Sequence, residues 1–174
     1  MIENILIPRI STFFPSSHTR TLAQSTVRNN PPEKFQSYQD WFFFIHIDPA
    51  QRYVHSIGMV IGTIFFMMLF IEWSYWSFLY YILGVFFFYV VGIISHLIYD
   101  KGEAKSHPRY FAVTFLTTIQ FNLLTLFGMY DKKLREFLKK YPFVAEEYDL
   151  IEIKKSQLIF HLLTPGSRHD AGSK

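Results

Sequence analysis

The sequence predicts an all-α integral membrane protein, a helical hairpin or bundle of three to four hydrophobic helices with interfacial amphipathic helices beside them. Half of its 174 residues are hydrophobic and a fifth are aromatic. These residues are concentrated between Trp41 and Tyr130, whereas both ends of the chain are polar. Residues 57–71 and 75–98 are almost unbroken apolar runs without a polar face, which is typical of helices that cross a bilayer.

The polar ends divide the chain into one membrane domain and two flanking segments. Residues 16–32 are rich in Ser, Thr, Asn and Pro, so we expect residues 1–33 to form a flexible polar arm. We expect residues 34–130 to form the membrane-embedded domain that carries the histidine metal site, and residues 131–174 to form an amphipathic tail with a disordered end. Prolines interrupt the apolar positions near the N-terminus and no compact cleavage site follows, so no signal peptide is predicted.

A short aromatic helix is predicted before the first long one. Residues 34–46 begin polar and become strongly aromatic, a pattern too short to cross a bilayer and suited to its interface. This helix is expected to end at Ile47, because the next residues start a new one. Asp48 suits the N-cap, Pro49 suits the first helical position, and Gln51 takes the place of the reciprocal partner in a capping box.

The two apolar runs predict an antiparallel hairpin. The first long helix should run to about Ile71 and the second to about Tyr99, and the polar break between them, residues 72–74, is short. At about 1.5 Å per residue, each arm reaches about 30 Å, the thickness of the hydrocarbon core of a bilayer. Both arms are therefore long enough to span it.

Residues 110–130 form a third apolar segment whose path the sequence leaves open. Its polar residues are compatible with hydrogen bonds across a helix bundle or with a segment that dips into the membrane and returns. Those residues are Thr114, Thr117, Thr118, Gln120, Asn122 and Thr125. Basic residues lie on both sides of the segment, so charge does not decide between the two paths. Residues 131–140 then predict an amphipathic helix at headgroup level, which Pro142 ends.

The composition excludes several kinds of site. The chain contains no cysteine, so disulfides, thiolate nucleophiles, iron–sulfur clusters and thiolate zinc sites are ruled out. The formal charge of +3 is modest, and the basic residues lie beside hydrophobic segments, which favours contact with membrane lipids over nucleic acid. Any bound metal must use His, Asp, Glu or backbone ligands.

Four of the seven histidines fall near one end of the predicted hairpin. His46 precedes the first long helix, His55 lies two turns into it, His96 is near the end of the second, and His107 follows in the connection. By helical rise, the depths of His55 and His96 differ by less than about 10 Å. Ionisable groups at membrane depth usually face an interior or a wet cavity, so the convergence predicts a metal site.

The available ligands restrict the metal to a few elements but do not identify one of them. Imidazole without thiolate suits iron, zinc, copper or nickel. The chain lacks the closely spaced histidine boxes of diiron membrane hydroxylases, which favours a single metal. His18 and His169 lie in the polar ends and His161 in the tail, where we expect no ligand role.

Residues 46–58, H-I-D-P-A-Q-R-Y-V-H-S-I-G, are similar to the signature of the Mpo-type 2-hydroxy fatty acid dioxygenases, roughly H-x-x-P-x-N-R-x-x-H-x-x-G. Gln51 replaces the usual asparagine. Residues 95–100, S-H-L-I-Y-D, resemble the second box of that family, G-H-x-x-x-E, with Ser and Asp as replacements. The resemblance covers residues 36–127. Residues 102–105 depart from the family pattern, which affects the surroundings of His107.

The resemblance implies a membrane enzyme that uses iron(II) and O₂ to shorten a 2-hydroxy fatty acid by one carbon with release of CO₂. It would lie in the endoplasmic reticulum of a eukaryote or the inner membrane of a bacterium. His46, His55 and His96 would be catalytic and would hold the iron, and His107 is either a fourth ligand or an interfacial anchor. Arg52 or Arg109 would bind the substrate carboxylate, with lipid headgroups as the equally favoured partner, and Asp48, Gln51 and Asp100 would orient imidazoles. For Asp48, a helix cap is the favoured role.

Two other functions are compatible with the sequence. The first is a non-catalytic membrane protein, such as a lipid-binding or scaffold subunit, in which the histidines are interfacial anchors. The second is a membrane hydrolase or transferase that uses another metal, such as zinc, to activate water.

Overall fold

A computed structural model describes residues 4–72, 74–104 and 108–164. His107, His169 and residues 165–174, where a disordered end is predicted, lie outside the described residues. In chain order the elements are β1 (Asn4–Pro8), α1 (Ser17–Asn29), α2 (Tyr38–Phe44), α3 (Pro49–Ile71), α4 (Trp76–Val85), a π turn (Phe86–Val90), α5 (Val91–Tyr99), α6 (Phe111–Leu126), α7 (Tyr130–Lys140), α8 (Phe143–Glu147), β2 (Leu150–Lys154) and α9 (Leu158–Leu163).

The predicted hairpin is present, with its ends where the sequence places them. The carboxylate of Asp48 accepts a 2.8 Å hydrogen bond from the Ala50 amide, and Pro49 opens α3. The second long helix joins α4, the π turn and α5 into one stretch, Trp76–Tyr99. Both long helices are long and apolar enough to cross a membrane.

Two glycines let the long helices approach closely. A Cβ atom on Gly58 would lie 2.6 Å from the Phe87 carbonyl oxygen, and one on Gly62 would lie 2.7 Å from the Phe88 nitrogen. Both neighbours are backbone atoms in the π turn, so larger residues would force the helices apart. The spacing G-x-x-x-G is the one that brings small residues to one face of a packed membrane helix.

The third apolar segment is not a further arm of the hairpin. Its helix, α6, has 16 residues, fewer than are needed to span a bilayer. The ring of Tyr110, just before α6, stacks on Tyr38 at 4.2 Å, and the ring of Tyr130, just after it, stacks on Phe43 at 4.9 Å. Both ends of the segment therefore return to α2, which favours the path that does not cross.

The helices predicted to lie at the membrane interface instead form the protein core. Four consecutive aromatic residues of α2 are buried, from Trp41 to Phe44, and they cluster with Leu134 and Phe137 of α7. The aromatic side chains of α2 and the apolar face of α7 are therefore protein contacts, which corrects the expectation that they face the membrane interface; the level of the two helices relative to a membrane stays a prediction. The apolar faces were recognised, but each of them packs against the other helix rather than against lipid.

The polar arm predicted at the N-terminus is largely ordered. Among the described residues, β1 pairs antiparallel with β2, from Asn4 opposite Lys154 to Pro8 opposite Leu150, so the fold is not purely α-helical. The Ser16 hydroxyl accepts a hydrogen bond from the Thr19 amide and caps α1. The Ser- and Thr-rich composition that indicated disorder here supplies a helix cap.

Ion pairs and hydrogen bonds fix α1 to the end of the second long helix. Arg28 pairs with Glu103 at 2.8 Å, and Arg20 donates to the Leu97 carbonyl at 2.9 Å. Lys101 donates to the Thr21 hydroxyl at 2.7 Å. The N-terminal region therefore braces the turn after α5, next to the histidines.

Candidate metal centre

Three histidines from three elements meet at the inner end of the hairpin, the end where α3 begins and α5 finishes. His46 lies in the turn after α2, His55 in the second turn of α3, and His96 near the end of α5. Their ring centres lie 4.9, 5.0 and 5.3 Å apart, and the rings are nearly perpendicular, at 82°, 82° and 77°. Each ring offers one ligand nitrogen, and these atoms lie within 4.8 Å of one another.

Hydrogen bonds set the tautomers of His46 and His96. The Nδ1 atom of His46 lies 2.7 Å from the Phe42 carbonyl oxygen, which can only accept, so Nδ1 carries the proton and donates. The Nδ1 atom of His96 lies 2.7 Å from a carboxylate oxygen of Asp100 and donates in the same way. In the neutral rings, Nε2 is then left with a lone pair in both cases.

Those two lone pairs face each other. The Nε2 atoms of His46 and His96 are 3.3 Å apart, an arrangement that is repulsive unless a cation or proton lies between them. Metal–nitrogen bonds of about 2.0–2.1 Å separate neighbouring ligand nitrogens by about 2.9–3.4 Å in octahedral or tetrahedral sites. The observed separation falls within that range.

The third imidazole has an unused nitrogen of its own. The Nε2 atom of His55 is buried and has no hydrogen-bond partner among the residues that the structure describes. A Cβ atom on Gly92 would lie 3.0 Å from Cε1 of this ring, so the glycine makes room for it. A buried nitrogen without a partner is costly, and a metal ligand role would satisfy it. The donor set therefore fits a metal.

Asp100 holds His96 in place, and the side-chain amide of Gln51 lies beside that contact and donates to the same carboxylate. Asp100 is buried, and its second oxygen accepts a 3.1 Å hydrogen bond from the Glu103 amide. The Gln51 amide nitrogen lies 2.8 Å from Nδ1 of His96 and 3.5 Å from Asp100. Gln51 therefore turns toward the histidine with its side chain, rather than back toward Asp48 as a capping box requires.

The structure gives Arg52 a role in positioning His46. Its guanidinium is buried and donates from Nη1 to the carbonyl oxygens of His46, at 3.1 Å, and Ile47. Its Cζ atom lies 3.4 Å from the ring centre of Tyr130, whose hydroxyl also donates to the His46 carbonyl, at 3.1 Å. These contacts use Nη1 and the face of the guanidinium, whereas its Nε atom is buried without a hydrogen-bond partner among the described residues, so binding of a substrate carboxylate by Arg52 stays a prediction.

Aromatic rings form an apolar wall around His46. The ring of Phe121 from α6 stacks on His46 at 4.5 Å, and Phe42 lies on it at 4.4 Å. The Ser56 hydroxyl donates to the Asn122 side chain in a buried contact that fixes α6 to α3 beside the site. The sequence pointed to polar residues in α6, but nothing in it indicated which residue of α3 they meet.

The environment favours neutral imidazole at His46. Burial lowers the pKa of His46 well below its usual range, and the neighbouring His55 and His96 lower it further. A neutral ring is the form that binds a metal. The side chain of His96 keeps 13% exposure, so the cluster is enclosed on the His46 side and accessible on the other.

The remaining candidates lie outside this cluster. Asp48 caps α3 and accepts from the Ser11 hydroxyl, which confirms the favoured cap role. Arg109 is exposed before α6, with Cζ 5.7 Å from the ring centre of Tyr110. His18 is exposed on α1, and Nε2 of His161 lies 3.3 Å from the Arg9 carbonyl oxygen. His107 cannot be placed in the site, because it falls outside the described residues.

Comparison with known proteins gives no relative from which a function could be taken. No family model matches the sequence, and neither a curated protein nor a solved structure does so.

Proposed function

We propose that this chain is a membrane-bound iron(II)-dependent dioxygenase that shortens 2-hydroxy fatty acids by one carbon. The observation that carries the proposal is the set of three nearly perpendicular imidazoles whose Nε2 atoms bond no other group among the described residues. Those of His46 and His96 face each other at 3.3 Å, and that of His55 has no partner among the described residues. Interfacial anchor histidines would instead direct these nitrogens toward water or headgroups.

The proposed setting is the membrane surface. We infer that the hairpin of α3 and the second long helix crosses the bilayer, because both helices are long and apolar enough to do so and expose large apolar side chains along most of their length. The histidines lie at the inner end of the hairpin: His46 just before α3, His55 in its second turn and His96 in the last turn of α5. A substrate with an acyl chain dissolved in the bilayer would then reach the site by lateral diffusion.

The proposed reaction is balanced as a 2-hydroxy acid plus O₂ giving the acid one carbon shorter, CO₂ and water. The bond between C1 and C2 breaks, C2 is oxidised to a carboxyl carbon, and O₂ is reduced. Iron held by neutral histidines would supply positive charge and open positions for the substrate carboxylate, its 2-hydroxyl and O₂. The residues resembling the family boxes, His46, His55 and His96, are the ligands in this proposal.

The protein side of the mechanism is the fixation of these ligands. Asp100 keeps the His96 proton on Nδ1, and the Phe42 carbonyl does the same for His46, so both Nε2 atoms stay available. Phe121 covers His46 and excludes water from that side. Arg52 or Arg109 remains the guanidinium proposed for a carboxylate, with a lipid headgroup as the other partner.

Metal content tests the proposal directly. Protein purified anaerobically in mild detergent should carry about one iron per chain and convert 2-hydroxyhexadecanoic acid to the C15 acid with consumption of O₂. Replacing His46, His55 or His96 by alanine should remove iron and conversion together, because each supplies one of a few ligands. His18→Ala and His169→Ala should retain both. Folded parent protein without any transition metal would disprove the proposal.

The same experiment separates the principal alternative. Three histidines with an open side are also the donor set of catalytic zinc, so a metal-dependent hydrolase is the second candidate. One zinc per chain, with O₂ consumption absent and unchanged by added 2-hydroxy acid, would favour that function over the dioxygenase.

A further inference from the structure

The short helix α9 has one apolar face inside the protein and another outside it. Its sequence is L-I-F-H-L-L. Leu158 and Leu162 are buried in a cluster with Ala50, in the first turn of α3, and Tyr99, in the last turn of α5. The helix is therefore attached to the inner end of the hairpin, beside the two residues where the long helices enter the folded domain.

The other face of α9 is exposed and apolar. Ile159, Phe160 and Leu163 are each more than half exposed. This contrasts with α7, whose apolar residues are buried against α2. Both α7 and α9 lie in the predicted amphipathic tail, and of these two helices α9 is the one that presents large apolar side chains outward.

Two neighbouring segments extend this apolar surface. The Phe13 amide donates to the Leu162 carbonyl at 2.8 Å, and the next residue, Phe14, is 61% exposed. On the other side, Nζ of Lys155 lies 3.2 Å from the position that a Cβ atom would take on Gly128. The residue preceding that glycine, Phe127, is 71% exposed.

The position of this surface matches the expected boundary of a bilayer. From Ala50 to Ile71, α3 rises about 32 Å, close to the roughly 30 Å of a hydrocarbon core. A bilayer that covers the outer part of the hairpin would therefore reach its headgroup boundary near Ala50, which α9 contacts. The exposed Lys154 and Lys155 precede α9 and suit anionic headgroups at that level.

We propose that the apolar rim, formed by Phe14, Phe127, Ile159, Phe160 and Leu163, lies in the headgroup–acyl boundary of the bilayer and binds lipid. It is a second membrane contact beside the hairpin, of the interfacial type. This inference rests on the membrane placement in the proposed function. The rim would fix the depth of the domain, and with it the level at which the histidines open toward an acyl substrate.

Spin labels test the proposal in the full chain. The chain has no native cysteine, so single nitroxide labels can be attached to Phe160→Cys in the rim, Ile64→Cys in the middle of α3, and Glu146→Cys on α8. The three proteins are reconstituted in vesicles of phosphatidylcholine and phosphatidylglycerol at 3:1. Collision rates with O₂, which partitions into lipid, are compared with those of a water-soluble paramagnetic chelate.

The label at Phe160 should collide with O₂ several-fold more than with the chelate, at a depth between the labels at positions 64 and 146. If label 160 behaves like label 146 while label 64 reports lipid, the rim proposal fails and the membrane hairpin stands. If label 64 also reports water, the membrane placement itself fails. Shielding of label 160 from both probes, with spin–spin broadening, would instead identify a contact between two copies and overturn the proposal.

Discussion

The two ends of the hairpin are built on different principles, although they belong to the same pair of helices. At the inner end, polar side chains are buried and bonded within the protein: Gln51, Arg52, Ser56, Ser95 and Asp100. At the outer end, large apolar side chains project away from it: Phe70 is 86% exposed and Ile71 is 74% exposed. The first turns of α3 thus behave as the core of a domain, and the rest behaves as a surface suited to lipid.

This difference shows that one apolar helix can have a buried polar end in a protein core and an exposed apolar end. Buried polar groups need partners in low dielectric, and the inner end supplies them from the histidine turn, α6 and the turn after α5. The outer end is held mainly by the partner helix, with Gly62 allowing the close approach. Substitutions should therefore have unequal effects along the hairpin, and the following experiments measure that inequality.

The largest effect on stability is expected at Arg52. Arg52→Met removes the donor to the carbonyls of His46 and Ile47 and the contact with the Tyr130 ring. The expected loss in the free energy of unfolding is about 2–4 kcal/mol, because the Ile47 carbonyl loses its Arg52 donor, the His46 carbonyl keeps only Tyr130, and the contact with the Tyr130 ring is lost. The matched change at the outer end, Met67→Leu, should alter it by less than about 0.5 kcal/mol. Reversible unfolding in detergent micelles measures both, and equal losses would contradict the distinction between the two ends.

A smaller effect, on metal affinity rather than folding, is expected at Asp100. Asp100→Asn replaces the carboxylate that accepts the His96 proton by a weaker neutral acceptor, so metal affinity should fall about 10–100-fold while the protein stays folded. Glu103→Gln is the control, since that carboxylate pairs with Arg28 at the surface, where ion pairs contribute at most about 1 kcal/mol. Competition with a metal chelator measures the affinity. An unchanged value in Asp100→Asn would remove Asp100 from the site.

The smallest effect is expected at Asp40 of α2, where a change should alter the dependence of stability on pH. Burial by itself would raise the pKa of Asp40, but hydrogen bonds from Lys140, Ser37 and Tyr141 outweigh it and leave the pKa below its usual value. Stabilisation from a lowered carboxyl pKa is present above the unfolded value of about 3.9 and is lost as pH falls through the folded value.

Asp40→Asn should therefore reduce stability at neutral pH by less than about 1 kcal/mol, and the difference from the parent should shrink below about pH 4. Unfolding measured at several pH values between 7 and 3 provides the comparison. A double-mutant cycle with Lys140→Met should give non-additive effects. A difference that is constant with pH would assign the stabilisation to something other than the ionised carboxylate.

Much of the hairpin could be predicted from the sequence, because the residues that mark its helix ends and lengths are close together in the chain. Asp48 and Pro49 mark the start of α3, and unbroken hydrophobicity marks its length. The meeting of His46, His55 and His96 follows from the hairpin topology alone, since antiparallel arms bring their ends together.

The errors arose where a local pattern has two physical uses. The apolar faces of α2 and α7 fit lipid or each other, and only tertiary packing decides between them. Gln51 fits a capping box or a contact with His96, which lies 45 residues further along the chain. The guanidinium of Arg52 likewise fits an anion or backbone carbonyls, and its Nη1 atom donates to carbonyl oxygens of the turn that it follows. The G-x-x-x-G spacing of Gly58 and Gly62 indicates close helix contact in the sequence itself, but hydropathy alone does not detect it.

The π turn determines the directions in which the side chains of α5 point around the helix axis. The Val91 amide donates to the Phe86 carbonyl, five residues back rather than four, so the turn holds one residue more than regular α-helix. Each residue of an α-helix advances about 100° around its axis. Removing one residue from the turn would rotate His96 and Asp100 together by about that angle, away from His46. The extra residue of the π turn thus sets the direction in which these two side chains face the other histidines, and the hydropathy of the helix gives no sign of it.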